Sequence, residues 1–268
     1  MVKTVSPLVC VFDCEYVPCA ETIRRCYRLP ADSGERACFE HAWAAAEADP
    51  KKPGDRPMLK TVLHKVVSVS AVLREHSPTA GLKYSLKSWT EWPAGEAAMV
   101  REFLAGVGKR KFQLVGFASR LFDVPVLAQR ALVHGLSVPA FFDRPEKPWA
   151  GADYLARGSD YHVDLIEDVC AGGDGKAKPS LDQIAAACGL PGKLGMKGAD
   201  VAEAWLAGKR QEVSEYNDFD ACTTFLLWAR MAATAGHVDY SAEKEALASL
   251  LERESKKRPH LRRYLEEM

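Results

Sequence analysis

The chain has 268 residues, 47% apolar and 27% charged, which is ample material for the core of one large domain or two small ones. Its 36 basic and 36 acidic residues cancel, so no global field draws it to nucleic acid or anionic lipid, and any polyanion contact must be local. No apolar run approaches the ~18 residues of a membrane span and the N-terminus lacks a signal-peptide apolar stretch, so a cytoplasmic protein without membrane contact is expected.

The first element is "LVCVFDCEYV", residues 8–17, a buried-strand pattern that carries two acids where valine would be ordinary. A strand alternates faces, so Asp13 and Glu15 share one side while Phe12, Cys14 and Tyr16 share the other. Two adjacent carboxylates repel unless a positive charge lies between them, and a divalent cation is the usual one; a strand end reaching solvent is the plainer alternative. Residues 18–60 then hold a short helical stretch, "FEHAWAAAEA", and the loop "DPKKPGDRP", reading as an insertion before the second strand at 64–75 and a third at 82–92. The spacing predicts a helix over 95–108, a strand over 112–119 and a helix over 124–136, with Asp123 as its cap.

Residues 161–170 fit a strand or a helix start, and Asp164 is expected to cap a helix. "SLDQIAAACGL" opens with a capping box, Ser180 with Gln183, and stops at Gly189. A short helix follows over 199–209 with Asp200 as cap, then a longer one from about Val213 to Ala235, and a charged amphipathic helix over 241–268. Strands early and helices late point to one mixed α/β domain. The eight cysteines include no C-x-x-C pair, so neither a disulfide framework nor a zinc ribbon is indicated.

Tyr216 and Asp220 are four apart on the long helix and share a face. The ordered set is thus D-x-E on an early strand, F-D at a strand-to-helix junction and Y-x-x-x-D near the end. It resembles the DEDDy branch of the 3′–5′ exonuclease superfamily, which includes the proofreading domains of family-B DNA polymerases. The likeness is greatest to PolB-like predicted 3′–5′ exonucleases. "FDCEY" resembles the first motif, "VGFASRLFDVPVL" the second, "YNDFDACTTFLL" the third, and "SLDQIAAACGLPGKLGMKGADVAEAW" the region before the third. One departure lies in the second motif, where the family commonly carries asparagine at the position of Ala118 or Ser119.

The resemblance implies a ribonuclease H-like mixed β-sheet flanked by helices over 1–240, with the insertion at about 18–60 and the charged helix at 241–268 outside what it explains. It implies hydrolysis of phosphodiester bonds from the 3′ end of single-stranded or recessed DNA. Asp13, Glu15, Asp123 and Asp220 would hold two divalent ions, with Asp13 bridging them. Hard oxygen donors favour Mg²⁺ or Mn²⁺ over zinc, and a metal pair roughly 4 Å apart stabilises attacking and leaving oxygens. Tyr216 would orient the attacking water first and accept a proton second, because a phenol of pKa ~10 is a poor base at neutral pH. Phe122, Arg120, Lys193 and Lys197 are candidate substrate contacts, the lysines alternatively being solvated. Trp89, Trp92, Trp149 and Trp205 are core or groove-wall residues in the plainer reading and base-stacking residues in the other. Two alternatives stand beside this: a ribonuclease D-like exoribonuclease, and a catalytically weak nucleic-acid-binding module.

Overall fold

The apolar opening segment becomes β1 (Leu8–Pro18), and its alternation sorts the core: Val9 and Val11 enter one cluster, while Cys10, Phe12 and Cys14 enter another. The computed structural model of the chain describes residues 2–46, 56–170, 177–192 and 194–268. Lys193 and most of the loop at 49–57 lie outside the described residues. β1 pairs antiparallel with β2 (His64–Ser77), which pairs antiparallel with β3 (Gly81–Thr90). On its other edge β1 runs parallel to β4 (Gln113–Gly116), and β4 parallel to β5 (His162–Asp164). The order β3-β2-β1-β4-β5 is a mixed sheet with β1 at its centre, the α/β architecture expected.

Parallel neighbours need crossovers, and helices supply them. In chain order the helices are α1 (Ala20–Tyr27), α2 (Glu35–Ala45), α3 (Glu96–Arg110), α4 (Asp123–Val133), α5 (Pro139–Phe142), α6 (Leu165–Val169), α7 (Leu181–Ala187), α8 (Val201–Leu206), α9 (Arg210–Thr234), α10 (Tyr240–Glu254) and α11 (Leu261–Glu266). Helices α3, α4 and α5 cover one sheet face through Phe103, Leu104, Leu127 and Phe141. Helices α7, α9, α10 and α11 cover the other through Phe225, Trp228, Leu251 and Tyr264. Burying each such side chain contributes about 1.5–3 kcal/mol, and α9, buried on nearly every side, is the helix on which that layer rests. No described helix is long and apolar enough to cross a membrane.

The pairing of β1 with β2 is interrupted by a bulge beside the two acids. Glu15 faces Ser68 and Tyr16 faces Val66, so Val67 of β2 is the extra residue. The alternation of β2 therefore slips: Val66 and Val69 join the same core cluster although three positions apart. The Val66 N–H donates to Glu96 Oε1 at 2.8 Å instead of to a strand. That buried carboxylate is held in turn by Arg130, at 2.7 Å from Nε and 2.6 Å from Nη2, and by His134 at 2.8 Å. A buried ion pair with its lone pairs filled is tolerated, and here it fixes a kink one residue from Glu15.

Among its described residues the segment 18–60 contributes two helices, not one. α1 was not expected because it ends on Arg28, a non-glycine residue in the left-handed region at φ 55°, so no glycine marks its stop. Ile23, Cys38 and Phe39 pack with Trp205, Val213 and Tyr216, which builds a wall beside α9. Likewise the expected single helix over 241–268 is α10 and α11, broken near Pro259. Both halves enter the core, and Arg258 and His260 between them reach Asp218 of α9 at 3.4 and 3.0 Å.

Candidate metal centre

Along the α9-facing side of β1, two valines give way to two acids. Val9 and Val11 are in the core, and Asp13 and Glu15 follow where the strand emerges beyond the end of β4. Opposite them on β2 stand serines, Ser70 facing Asp13 and Ser68 facing Glu15. Helix α9 brings Asp220 to the same place, and one carboxylate oxygen from each of Asp13, Glu15 and Asp220 lies within 4.8 Å of the others. Glu15 and Asp220 are buried and Asp13 half-buried. Two hard oxygen donors from one strand and a third from a helix more than 200 positions further along, drawn this close, could hold a divalent cation.

Tyr216 lies one helical turn before Asp220 and is 2% exposed. Burial, reinforced by Asp220, to which the phenol donates, and by Glu15 and Asp13, pushes its pKa far above the ordinary phenol range. The hydroxyl thus stays protonated at neutral pH and acts as a donor.

Asp123, the fourth acid, has a setting of its own. It is the first residue of α4, and Phe122 occupies the cap position with no side-chain cap hydrogen bond, so the expected capping role is corrected. Its Oδ1 accepts the Tyr16 hydroxyl at 2.5 Å. Burial raises its pKa to about 7, against the lowering effect of Tyr16 and a backbone N–H, with Asp164 adding to the rise. Among the described residues the group of mutually close oxygens comprises Asp13, Glu15 and Asp220, without Asp123. Phe122 packs edge-on to Tyr16 at 5.0 Å and His64 at 5.2 Å between ring centroids, a half-buried aromatic corner.

The loop before Asp123 is clamped by Asp164. Its carboxylate accepts the Ala118 N–H at 2.8 Å, the Arg120 N–H at 2.9 Å and, as the expected cap of α6, the Ile166 N–H at 3.2 Å. Ala118 sits at φ 59°, where alanine is strained and asparagine or glycine is at ease. Gly116 is required by the same turn, since a Cβ there would lie 2.5 Å from that of Ser119. Arg120, expected at the substrate, is turned to the β5 edge: its guanidinium donates to His162 O at 2.6 Å, Ala156 O at 3.1 Å and Glu167 at 3.1 Å.

Lys197 is exposed just before the turn that opens α8, its N–H donating to Asp200 at 3.0 Å; Asp200 therefore holds the turn and makes no side-chain cap to α8. Trp205 is buried against Trp92, Trp89 donates to Glu102, and Trp149 is 72% exposed. Beside Tyr216 opens a cleft of about 210 Å³ lined by Met196, Glu215, Phe219, His260 and Arg263. Sequence reasoning missed Asn217, whose Nδ2 donates to Asp13 Oδ2 at 2.7 Å, and Tyr16. The one available signal for Asn217 was its place between Tyr216 and Asp220 on a buried helix.

Residues 56–268 match the family described as predicted 3′–5′ exonuclease related to the exonuclease domain of PolB, and the chain belongs to that family. The match begins after β1, so the place of Asp13 and Glu15 rests on geometry; it includes the C-terminal helices α10 and α11. The fold is similar to that of the family B DNA polymerase from the hyperthermophilic archaeon Pyrobaculum calidifontis, at a TM-score of 0.50 and 14% identity. The likeness covers 93% of this chain and 29% of the polymerase chain, and at that identity it is one of fold. No curated protein matches.

Proposed function

We propose that this member of the PolB-related exonuclease family hydrolyses phosphodiester bonds from the 3′ end of DNA, single-stranded or recessed, with divalent metal ions. The observation that carries the reading is the meeting of Asp13, Glu15 and Asp220 oxygens within 4.8 Å beside a buried tyrosine. Asp13, Glu15 and Asp220 would hold Mg²⁺ or Mn²⁺, and Asp123, at the adjoining corner, is the candidate fourth ligand for a two-ion site. Cations there would supply charge stabilisation to the attacking and leaving oxygens.

The protein's own groups do the rest. Tyr216, its O–H given to Asp220, accepts a hydrogen bond from the attacking water and so orients it, with proton acceptance a secondary role. Phe122 offers a face for the terminal base at the Tyr16 corner, and the cleft beside Tyr216 offers Arg263 and His260 to the strand. Lys197 is a candidate backbone contact from the loop before α8, with Lys193 proposed on sequence alone.

The test is cleavage of 5′-labelled single-stranded DNA, 3′-recessed DNA and RNA by purified protein with Mn²⁺, with Mg²⁺ and with EDTA. A ladder shortening from the 3′ end only with metal is expected, faster on DNA. A faster RNA ladder would reassign the sugar, and binding without cleavage under any metal would sink the enzymatic reading.

A further inference from the structure

Asn217 is fully buried, and neither its amide nitrogen nor its amide oxygen has a part in the proposed chemistry. The nitrogen donates to Asp13 Oδ2 at 2.7 Å and the oxygen accepts the Ser68 hydroxyl at 3.0 Å. The two contacts fix the amide. An ionised carboxylate only accepts, so the NH₂ must face Asp13; the carbonyl then faces Ser68, whose hydroxyl can donate to it. Ser68 is itself held in place, being the residue of β2 that faces Glu15 at the bulge. The chain Ser68, Asn217, Asp13 therefore ties the strand carrying one carboxylate to the helix carrying Tyr216 and Asp220.

We infer that Asn217, oriented by Ser68, is a positioning residue that holds the Asp13 carboxylate in the one orientation in which Asp13, Glu15 and Asp220 form a single cation site. This rests on the reading of the three acids as a metal centre and deepens it. Three acids whose oxygens lie within 4.8 Å repel one another when ionised, and a carboxylate free to rotate would swing away. A buried neutral donor opposes that swing without adding a charge that would compete with the cation. Partners of this kind, standing behind the ligands, typically account for about 10–100-fold in metal affinity.

The test is calorimetric titration of the full chain with Mn²⁺, run on wild type and on Asn217→Ala, Asn217→Asp and Ser68→Ala, with the melting temperature of each metal-free protein measured alongside. Expected are about a 10–100-fold weaker Mn²⁺ affinity in Asn217→Ala, and a smaller loss in Ser68→Ala, where the amide keeps its place but not its lock. Asn217→Asp preserves shape and sets a fourth carboxylate against Asp13, so it should also weaken binding if orientation by a donor is what matters. It serves as the second probe should the alanine variant fail to fold. A purely structural role would lower the melting temperature and leave affinity intact; wild-type affinity in any folded Asn217 variant overturns the inference. Absence of Mn²⁺ binding by wild type overturns instead the metal centre on which the inference rests, so the two failures are told apart before any nuclease assay.

Discussion

The two halves of the site are built by different means. Asp13, Glu15, Tyr216 and Asp220 stand on a central strand and a buried helix, where the period of the element alone decides which way each side chain faces. Asp123 stands at the end of a loop, residues 117–122, whose path is set by a clamp from Asp164 on β5 and by a left-handed alanine. The first half costs the chain only electrostatic repulsion, which a cation would relieve. The second stores backbone strain and a buried acid whose pKa is pushed to about 7, and depends on a neighbouring strand to hold it. Regular elements carry the three proposed ligands, and a clamped loop carries the candidate fourth.

The sharpest way to break the contrast is to remove a ligand from the regular half. Asp13→Ala or Asp220→Ala should cut metal-dependent cleavage by about 10³-fold or more while the fold survives, since relieving repulsion among acids offsets the lost contacts. Unchanged Mn²⁺ affinity by calorimetry in either variant would remove that residue from the ligand set. Tyr216→Phe should lower kcat by about 10–100-fold and leave Mn²⁺ affinity as it was, because the hydroxyl serves the water and not the ion. A wild-type kcat would end the orienting role.

In the loop half the same kind of cut should show first as stability. Asp164→Ala removes the acceptor of two backbone N–H groups and a helix cap, and should cost about 2–4 kcal/mol in urea unfolding. If stability were unmoved, the clamp would not be what sets the path of the loop.

Asp123 gives that half a pH signature. Its folded pKa of about 7 lies above the ordinary carboxylate value, so the protonated form is favoured by folding; its contribution is fully present below pH ~4 and is lost as pH rises through about 7. Metal-free wild type should therefore lose stability between those limits relative to Asp123→Asn, which has no proton to give up there. His162, held down to about pKa 3 mainly by burial, acts with the opposite sign and is common to both proteins. Parallel melting curves across the window would show that Asp123 does not titrate as its surroundings dictate.

This division also explains what could be read from the sequence. The D-x-E pair was legible because Val9 and Val11 set the parity of β1 before the acids appear, and Tyr216 with Asp220 because four residues make about one turn. The Ser180–Gln183 capping box was likewise local, and the structure contains it, with hydrogen bonds of 2.8 and 3.1 Å. The loop half was misread wherever a distant strand decided the outcome. Asp123 was expected to cap α4, but Tyr16 takes its oxygen; Arg120 was expected at the substrate, but His162 and Ala156 take its guanidinium. Such contacts span 36 to 107 residues and leave no periodic trace. The break in the C-terminal tail is different in kind, because Pro259 marks it locally within a charge pattern that is otherwise continuous with a helix.

The smallest expected effect bears on Ala118, which with Ser119 is one of the two positions at which the resemblance would place an asparagine. Ala118 at φ 59° bears roughly 1–2 kcal/mol of left-handed strain. Ala118→Gly relieves it but adds freedom to the unfolded chain, so the net gain should stay below about 1 kcal/mol, or about 1–3 °C in melting temperature. Ala118→Asn should gain similarly, because asparagine tolerates this region, and it alone adds a side-chain amide to the corner beside Asp123. The pair thus separates strain from contact. A lower KM for DNA in Ala118→Asn but not in Ala118→Gly would mean that the loop grips substrate when given the means, and that this chain works with a weakened grip. Equal KM in both would mean that the loop serves only to carry Asp123, with the strand held from the Tyr216 side.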